Sequence, residues 1–444
     1  MFSLPSQMRT LSSLMASILM LMVVLVGTVK ATEIQEITSP GGIKAWFVEE
    51  RSIPILSMEV AWKGGSSIEA AEKAGLANLV ASTMDEGAGD FDSRAFQKRL
   101  SDNAISLKFN ASKDSFQGSL KTLSKNREEA FSLFSIALTD PRFDAEPVER
   151  IRNQILVGLN RKLSDPNSLA GRAWFEIAFP NHPYSVPTEG VIETVSKITQ
   201  KDLVDFKKDQ IARDNMVVAV IGDIGKDELG LLLDKTFLGV QKTARLVEVP
   251  DVKPMHQLSE KIIEQDIPQS VVVFGGAGVK RDDPDYYAAY ILNYILGGGG
   301  FESRLTKEIR EKRGLVYSVY SYLYPLRHSG LQLGGFGTSN ASVGEAVKLL
   351  KTELLKIRKD GVTADELAAA KTYINGSFPL RLSSNSKIAN IMVSMQVFDL
   401  PVQYLNDRPG YINAVTLDDI LRVAQRLINP ENMIITVVGK PEGL

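Results

Sequence analysis

The chain has 444 residues, a formal net charge of −2 and no cysteine. So balanced a charge leaves no basic excess for nucleic acid, and the missing thiols exclude disulfides, thiolate catalysis and thiolate metal ligation. The length exceeds what one hydrophobic core usually serves, so two or more domains are expected.

Residues 1–31 read as a secretory signal peptide. Arg9 is the only charge ahead of an apolar run from Leu14 to Val26, and Val29-Lys30-Ala31 supplies a small-residue cleavage site. An uncleaved N-terminal anchor is the alternative, since the run approaches the minimum length for spanning a membrane. No second apolar span follows, and a cysteine-free exported chain fits a periplasmic location.

An internal repeat organises the rest. Asp214-Asn215-Met216 through Gly222 resembles Glu431-Asn432-Met433 through Gly439 at an offset of 217, and at the same offset Thr199 and Asp202 match Thr416 and Asp419. Each copy reads as a Thr-capped helix followed by a buried β-branched strand ending in glycine. The starts correspond too. Strands are expected at 53–62 and 270–274, leading to the pairs Gly64-Gly65 and Gly275-Gly276. Two homologous α/β halves follow, 32–246 and 257–444, joined by a linker at 247–256 that holds Pro250 and Pro254.

In the first half, Lys73 to Met84 predicts a helix whose apolar face carries Leu76, Leu79, Val80 and Met84, and a second helix is expected over 151–162, before Asp165-Pro166. The three histidines, His182, His256 and His328, lie in separate segments with no i, i+4 partner, so structural use outweighs metal binding. No nucleophile elbow, P-loop or dinucleotide fingerprint occurs, and the adjacent Asp282 and Asp283 read as a solvated turn before Pro284.

The most informative stretch is 286–324. It predicts an apolar helix (Tyr287, Tyr290, Ile291, Tyr294, Ile295), the glycine run Gly297, Gly298, Gly299 and Gly300, an amphipathic helix over 302–313 and a strand over 316–324. The glycines admit two readings, a flexible connector or the close approach of another chain. Arg310 and Tyr317, seven apart across the helix exit, can face one cleft; five guanidinium donors and a phenol suit a peptide carbonyl or a developing oxyanion. An exposed helix Arg and a surface strand Tyr are the plainer alternative.

The run Gly299-Gly300-Phe301-Glu302-Ser303-Arg304-Leu305, continuing through Glu308-Ile309-Arg310 to Gly314-Leu315-Val316-Tyr317, resembles the C-terminal half of the insulinase/pitrilysin-like zinc peptidases, the inverzincins. Pro141-Arg142-Phe143, His182-Pro183-Tyr184 and both Asn-Met strands extend the likeness over nearly all of the chain beyond residue 31. The resemblance implies an α+β fold of two halves, each a mainly antiparallel sheet with helices packed on it, enclosing a clam-like chamber. It gives Arg310 and Tyr317 the role of the family's R/Y pair, in substrate-backbone binding and transition-state stabilisation, and lines the substrate path with Gly297 to Gly300.

Active members carry H-x-x-E-H on the first-half helix, with two His as zinc ligands and the Glu as general base. Aligned through Gly75-Leu76-Ala77, this chain has Asn78, Ala81 and Ser82 there, and Gly158 stands near the third, glutamate, ligand position. No cofactor is therefore expected in this chain. The implied function is the non-zinc-binding subunit of a periplasmic heterodimeric metallopeptidase, with zinc and H-x-x-E-H in a homologous partner and peptides as substrates. Activity is expected only in the complex. The rival readings are a catalytically inactive structural protein and a peptide-binding protein that does not cut.

Overall fold

The computed structural model describes residues 33–255 and 257–444. The expected signal peptide, the alternative anchor and His256 lie outside the described residues. Among those described, no helix is long and apolar enough to cross a membrane.

Strands β1 (Gln35–Thr38), β2 (Lys44–Glu49), β3 (Ile55–Lys63), β4 (Ser106–Ala111), β5 (Ser115–Leu123) and β6 (Met216–Gly222) form one sheet in the order β1-β2-β6-β3-β5-β4. Strands β7 (Ser259–Glu264), β8 (Gln269–Ala277), β9 (Val316–Pro325), β10 (Gly330–Ser339) and β11 (Ile434–Gly439) form the other in the order β7-β11-β8-β10-β9. Apart from the extra β1, the two orders are the same. In each sheet the glycine-terminated strand of the repeat is interior: β6 runs parallel to β2 and antiparallel to β3, and β11 does the same with β7 and β8. β11 is also packed on both faces, with Ile434 and Thr436 toward the first half and Ile435 and Val437 in the core of the second, which is why it is buried at every position and reads as an unbroken apolar run apart from Thr436. All other pairings are antiparallel, as the α+β expectation requires.

The helices that bear on the site are α1 (Leu76–Ala81), α2 (Ala145–Lys162), α3 (Pro166–Ala178), α4 (Gln200–Gln210), α5 (Tyr286–Asn293), α6 (Ala364–Ser377), α7 (Asn385–Val397), α8 (Tyr404–Ala414) and α9 (Leu417–Leu427). Thr199 and Thr416 cap α4 and α9 through reciprocal boxes with Asp202 and Asp419, so the repeat holds down to side-chain hydrogen bonds. The expected 270–274 strand is longer, because Gly275 and Gly276 lie inside β8 rather than after it. A Cβ on Gly275 would stand 2.4 Å from the Gln332 carbonyl oxygen, so this glycine lets β8 and β10 pack closely.

The halves interlock. Helix α3, from the first half, lies on β11 and β8 of the second sheet, where Trp174 Nε1 donates to the Ile434 carbonyl (3.3 Å) and Thr436 Oγ1 donates to that of Ala170 (2.8 Å). Reciprocally, α7 lies on β3 and β6, where Ile388, Ala389, Met392 and Val393 form one cluster with Val48, Ala61, Ala219 and Ile221. Each sheet therefore buries one face under a helix supplied by the other half. A cavity of about 750 Å³ remains between them, lined by Phe175 of α3 and by Tyr322 and Tyr324 of β9.

Candidate functional site

The predicted apolar helix is α5, which continues into a wider, π-helical turn at Tyr294–Gly298. The first two glycines are thus helical rather than part of a loop. A Cβ on Gly297 would lie 2.5 Å from Ser321 Oγ and 2.8 Å from Ser321 N, so the helix touches β9 at this point. The close approach foreseen for this glycine is made by the chain's own strand. Asn293 and Ser321 fasten the contact: Asn293 Nδ2 donates to the Ser321 carbonyl (3.2 Å) and Ser321 Oγ donates to Asn293 Oδ1 (2.8 Å). Both side chains are buried, and neither stood out in the sequence. Gly299 packs against Tyr294, whereas Gly300 has φ +59° with nothing near its absent side chain.

The expected helix over 302–313 begins later. Ser303, fully buried, donates to the Gly300 carbonyl (2.7 Å) and closes the turn. Residues 306–311 then form a second π-helical segment, in which Lys312 N reaches the Lys307 carbonyl five residues back. Such wide turns shift the facing of every later side chain and recur at functional sites. Arg304 is held by a two-pronged bond to Glu366 at the start of α6 (2.7 Å each). That bond, with the Thr363 cap, draws the Glu366 carboxyl down to about 2 against the opposing effect of burial.

Arg310 and Tyr317 do come together. The Arg310 guanidinium lies 4.8 Å from the Phe301 ring centroid and 5.9 Å from that of Tyr317. Of the carboxylates close in sequence, Glu308 is taken by Lys312 (2.5 Å) and Arg313 (3.2 Å), and Glu311, although adjacent, makes no ion pair with Arg310, which lies beside aromatic faces. Tyr317 is 85% exposed and Phe301 64% exposed, far more than packing alone would leave such rings. Phe301 is the member of this group that sequence reasoning passed over; its signal was a large aromatic directly after the glycines. Tyr317 sits at one end of β9, an edge strand, and Tyr322 and Tyr324 at the other, so one open strand links the Arg310/Tyr317 pair to the cavity between the halves.

In the first half, the expected 73–84 helix is shorter. It starts at Leu76 after Gly75, which has φ +98°. Glu69 receives the amides of Gly75 (2.9 Å) and Ala77 at the start of α1. Burial pushes its carboxyl up to about 8 and likewise lowers the nearby Lys113 ammonium to about 8, while Lys113 Nζ donates to the carbonyls of Tyr184 (2.9 Å) and Val186 (2.8 Å). Asn78 and Ser82 share the half-buried side of α1, where Ser82 Oγ donates to the Asn78 carbonyl (2.8 Å); Ala81 is buried. Gly158 stands on α2 with no atom near its would-be Cβ. Neither imidazole nor carboxylate is present among the four, so this donor set does not fit zinc. Among the described residues no group of His, Cys, Asp and Glu could hold a metal ion. His182 is structural, accepting the Tyr184 amide and meeting the Pro250 carbonyl, and His328 contacts Asp251.

A family model described as the peptidase M16 inactive domain matches residues 197–374. A non-peptidase homolog, YmxG of Helicobacter pylori, is 28% identical over 379 residues, spanning 84% of this chain and 86% of that one. An uncharacterized zinc protease of Mycobacterium leprae is 26% identical over 404 residues, spanning 88% of each. Among solved structures, a peptidase M16 inactive domain from Pseudomonas fluorescens superposes with a TM-score of 0.85 at 29% identity, covering 92% of this chain and 98% of that one.

Proposed function

We propose that this chain, similar to the peptidase M16 inactive domain and to the insulinase/pitrilysin-like group that its sequence resembles, is the non-zinc-binding subunit of a periplasmic heterodimeric metallopeptidase. Its homologous partner supplies zinc and H-x-x-E-H; this chain supplies Arg310 and Tyr317. The observation that carries the reading is the state of Arg310, a guanidinium beside two exposed aromatic rings with no acid partner among the described residues. A cation arranged for stability alone would be expected to pair as Arg304 does with Glu366.

In the shared chamber, Arg310 donates to a substrate carbonyl and the Tyr317 hydroxyl donates to the oxyanion that forms as the peptide bond is attacked. These donors work by being fixed before charge develops. The locked Gly297–Ser321 contact and the Arg304–Glu366 bond serve that fixation by tying the start and the middle of the 297–310 segment. An extended peptide lies along the open edge of β9, past Gly298 to Gly300, with its side chains against the tyrosines.

The test is peptide hydrolysis by the chain lacking residues 1–31, by its H-x-x-E-H partner and by the mixture, with zinc and after chelation. Activity in the mixture alone, lost on chelation, is expected. A fully active lone partner, or no complex on mixing, would leave this chain a structural or peptide-binding protein.

A further inference from the structure

The second half holds another cavity, of about 300 Å³, bounded by the segment before α5, the 378–382 turn, α7 and α8. Three guanidiniums line it, from Arg281, Arg381 and Arg408, and among the described residues no carboxylate does. Of the acids close in sequence, Asp283 and Asp285 pair with Arg426 and Asp399 with Lys63, while Asp282 and Asp407, next to Arg281 and Arg408, do not line the cavity. Arg281 donates to the Tyr404 hydroxyl (2.8 Å) and lies 3.9 Å from the Tyr286 ring centroid. Arg408 is only 6% exposed; its guanidinium stacks 4.2 Å from the Phe378 ring centroid, and its Nη1 is buried without a hydrogen-bond partner among the described residues. A buried, unsatisfied charged donor is costly, so its presence at a cavity wall points to a ligand that completes it.

The remaining wall defines that ligand. Phe378, Met395 and Leu400 make one side apolar, which a bare inorganic anion would leave unfilled. Guanidinium forks match a carboxylate in two parallel bonds, and the volume lies at the small end of ligand sites. We propose that this cavity binds a small carboxylate with an apolar or aromatic body, the carboxylate held among Arg408, Arg281 and Arg381 and the body against Phe378. A free organic acid and the C-terminal residue of a peptide share this chemistry. The site is separate from Arg310 and Tyr317 and stands independently of the peptidase reading.

Calorimetric titration of the full chain with 4-phenylbutyrate and with the tripeptide acid N-acetyl-Ala-Ala-Phe tests it, the corresponding amides and inorganic phosphate serving as comparators. Saturable binding of at least one acid is expected, with its amide and phosphate at least about tenfold weaker. Tighter binding of the tripeptide assigns the site to peptide termini, and tighter binding of 4-phenylbutyrate assigns it to free acids. Arg408→Met and Arg381→Met should each weaken the acid, by about tenfold or more for the buried Arg408. Arg381 is exposed, so its variant keeps the test open if Arg408→Met fails to fold. Equal affinity of acid and amide, equal binding of phosphate, no saturable binding, or wild-type affinity in Arg381→Met would each overturn the proposal.

Discussion

Helices α1 and α5 occupy corresponding places, each following the long strand (β3 or β8) that pairs with the glycine-terminated strand of its sheet. Around α1 the polar groups are satisfied internally: Glu69 takes two backbone amides and Ser82 a carbonyl within its own helix. Around α5 the polar groups divide. Asn293, Ser321, Ser303 and Arg304 are locked to neighbours, and they present Arg310, Phe301 and Tyr317 with no comparable partners. A satisfied network signals structure, whereas an exposed cation and rings on a rigid support signal a binding surface.

The largest expected effect lies in the second region. Tyr317→Phe in the two-subunit complex should lower turnover by about 10² to 10³, the usual loss for one oxyanion donor, and Arg310→Ala, which removes the donor to the substrate carbonyl, should also lower it, while thermal unfolding of each variant stays close to wild type. Wild-type turnover in both variants would erase the contrast between the regions.

Next comes the support. Gly297→Ala drives a methyl into Ser321 and should destabilise the chain by about 1–3 kcal/mol in urea unfolding, as overpacking does. An unchanged midpoint would mean the helix and β9 separate easily. Arg304 and Glu366 give a smaller, pH-dependent effect. The Glu366 carboxyl falls from 4.5 to about 2 on folding, so its contribution is present above about 4.5 and is lost as pH falls toward 2. Because the pair is partly exposed, about 1 kcal/mol is expected after solvent screening. Arg304→Met should remove most of that acid-side slope in unfolding measured across this range, and an unchanged slope would relocate it to other carboxylates.

The smallest effect belongs to the first region. Gly158→Ala adds a methyl to a helix with open space around it and should stabilise the chain by about 0.5–1 kcal/mol in the same urea assay. Destabilisation there would show that Gly158 serves a packing need unlike that of a free helix position.

Sequence alone determined the duplicated architecture, because a capped helix followed by an interior strand leaves a long, regular pattern: Thr199 to Gly222 and Thr416 to Gly439 were legible from capping and β-branched runs. It also determined that Asn78, Ala81, Ser82 and Gly158 cannot supply the ligands of a zinc site, since side-chain chemistry needs no coordinates. Tertiary structure decided the rest. The π-helical turns at 294–298 and 306–311 depend on where β9 and Ser321 lie, and local propensity does not encode them. The exchange of α3 and α7 between sheets, the role of Gly297 against its own strand, and the bare Nη1 of Arg408 all arise between residues far apart in the chain, where only packing brings them together.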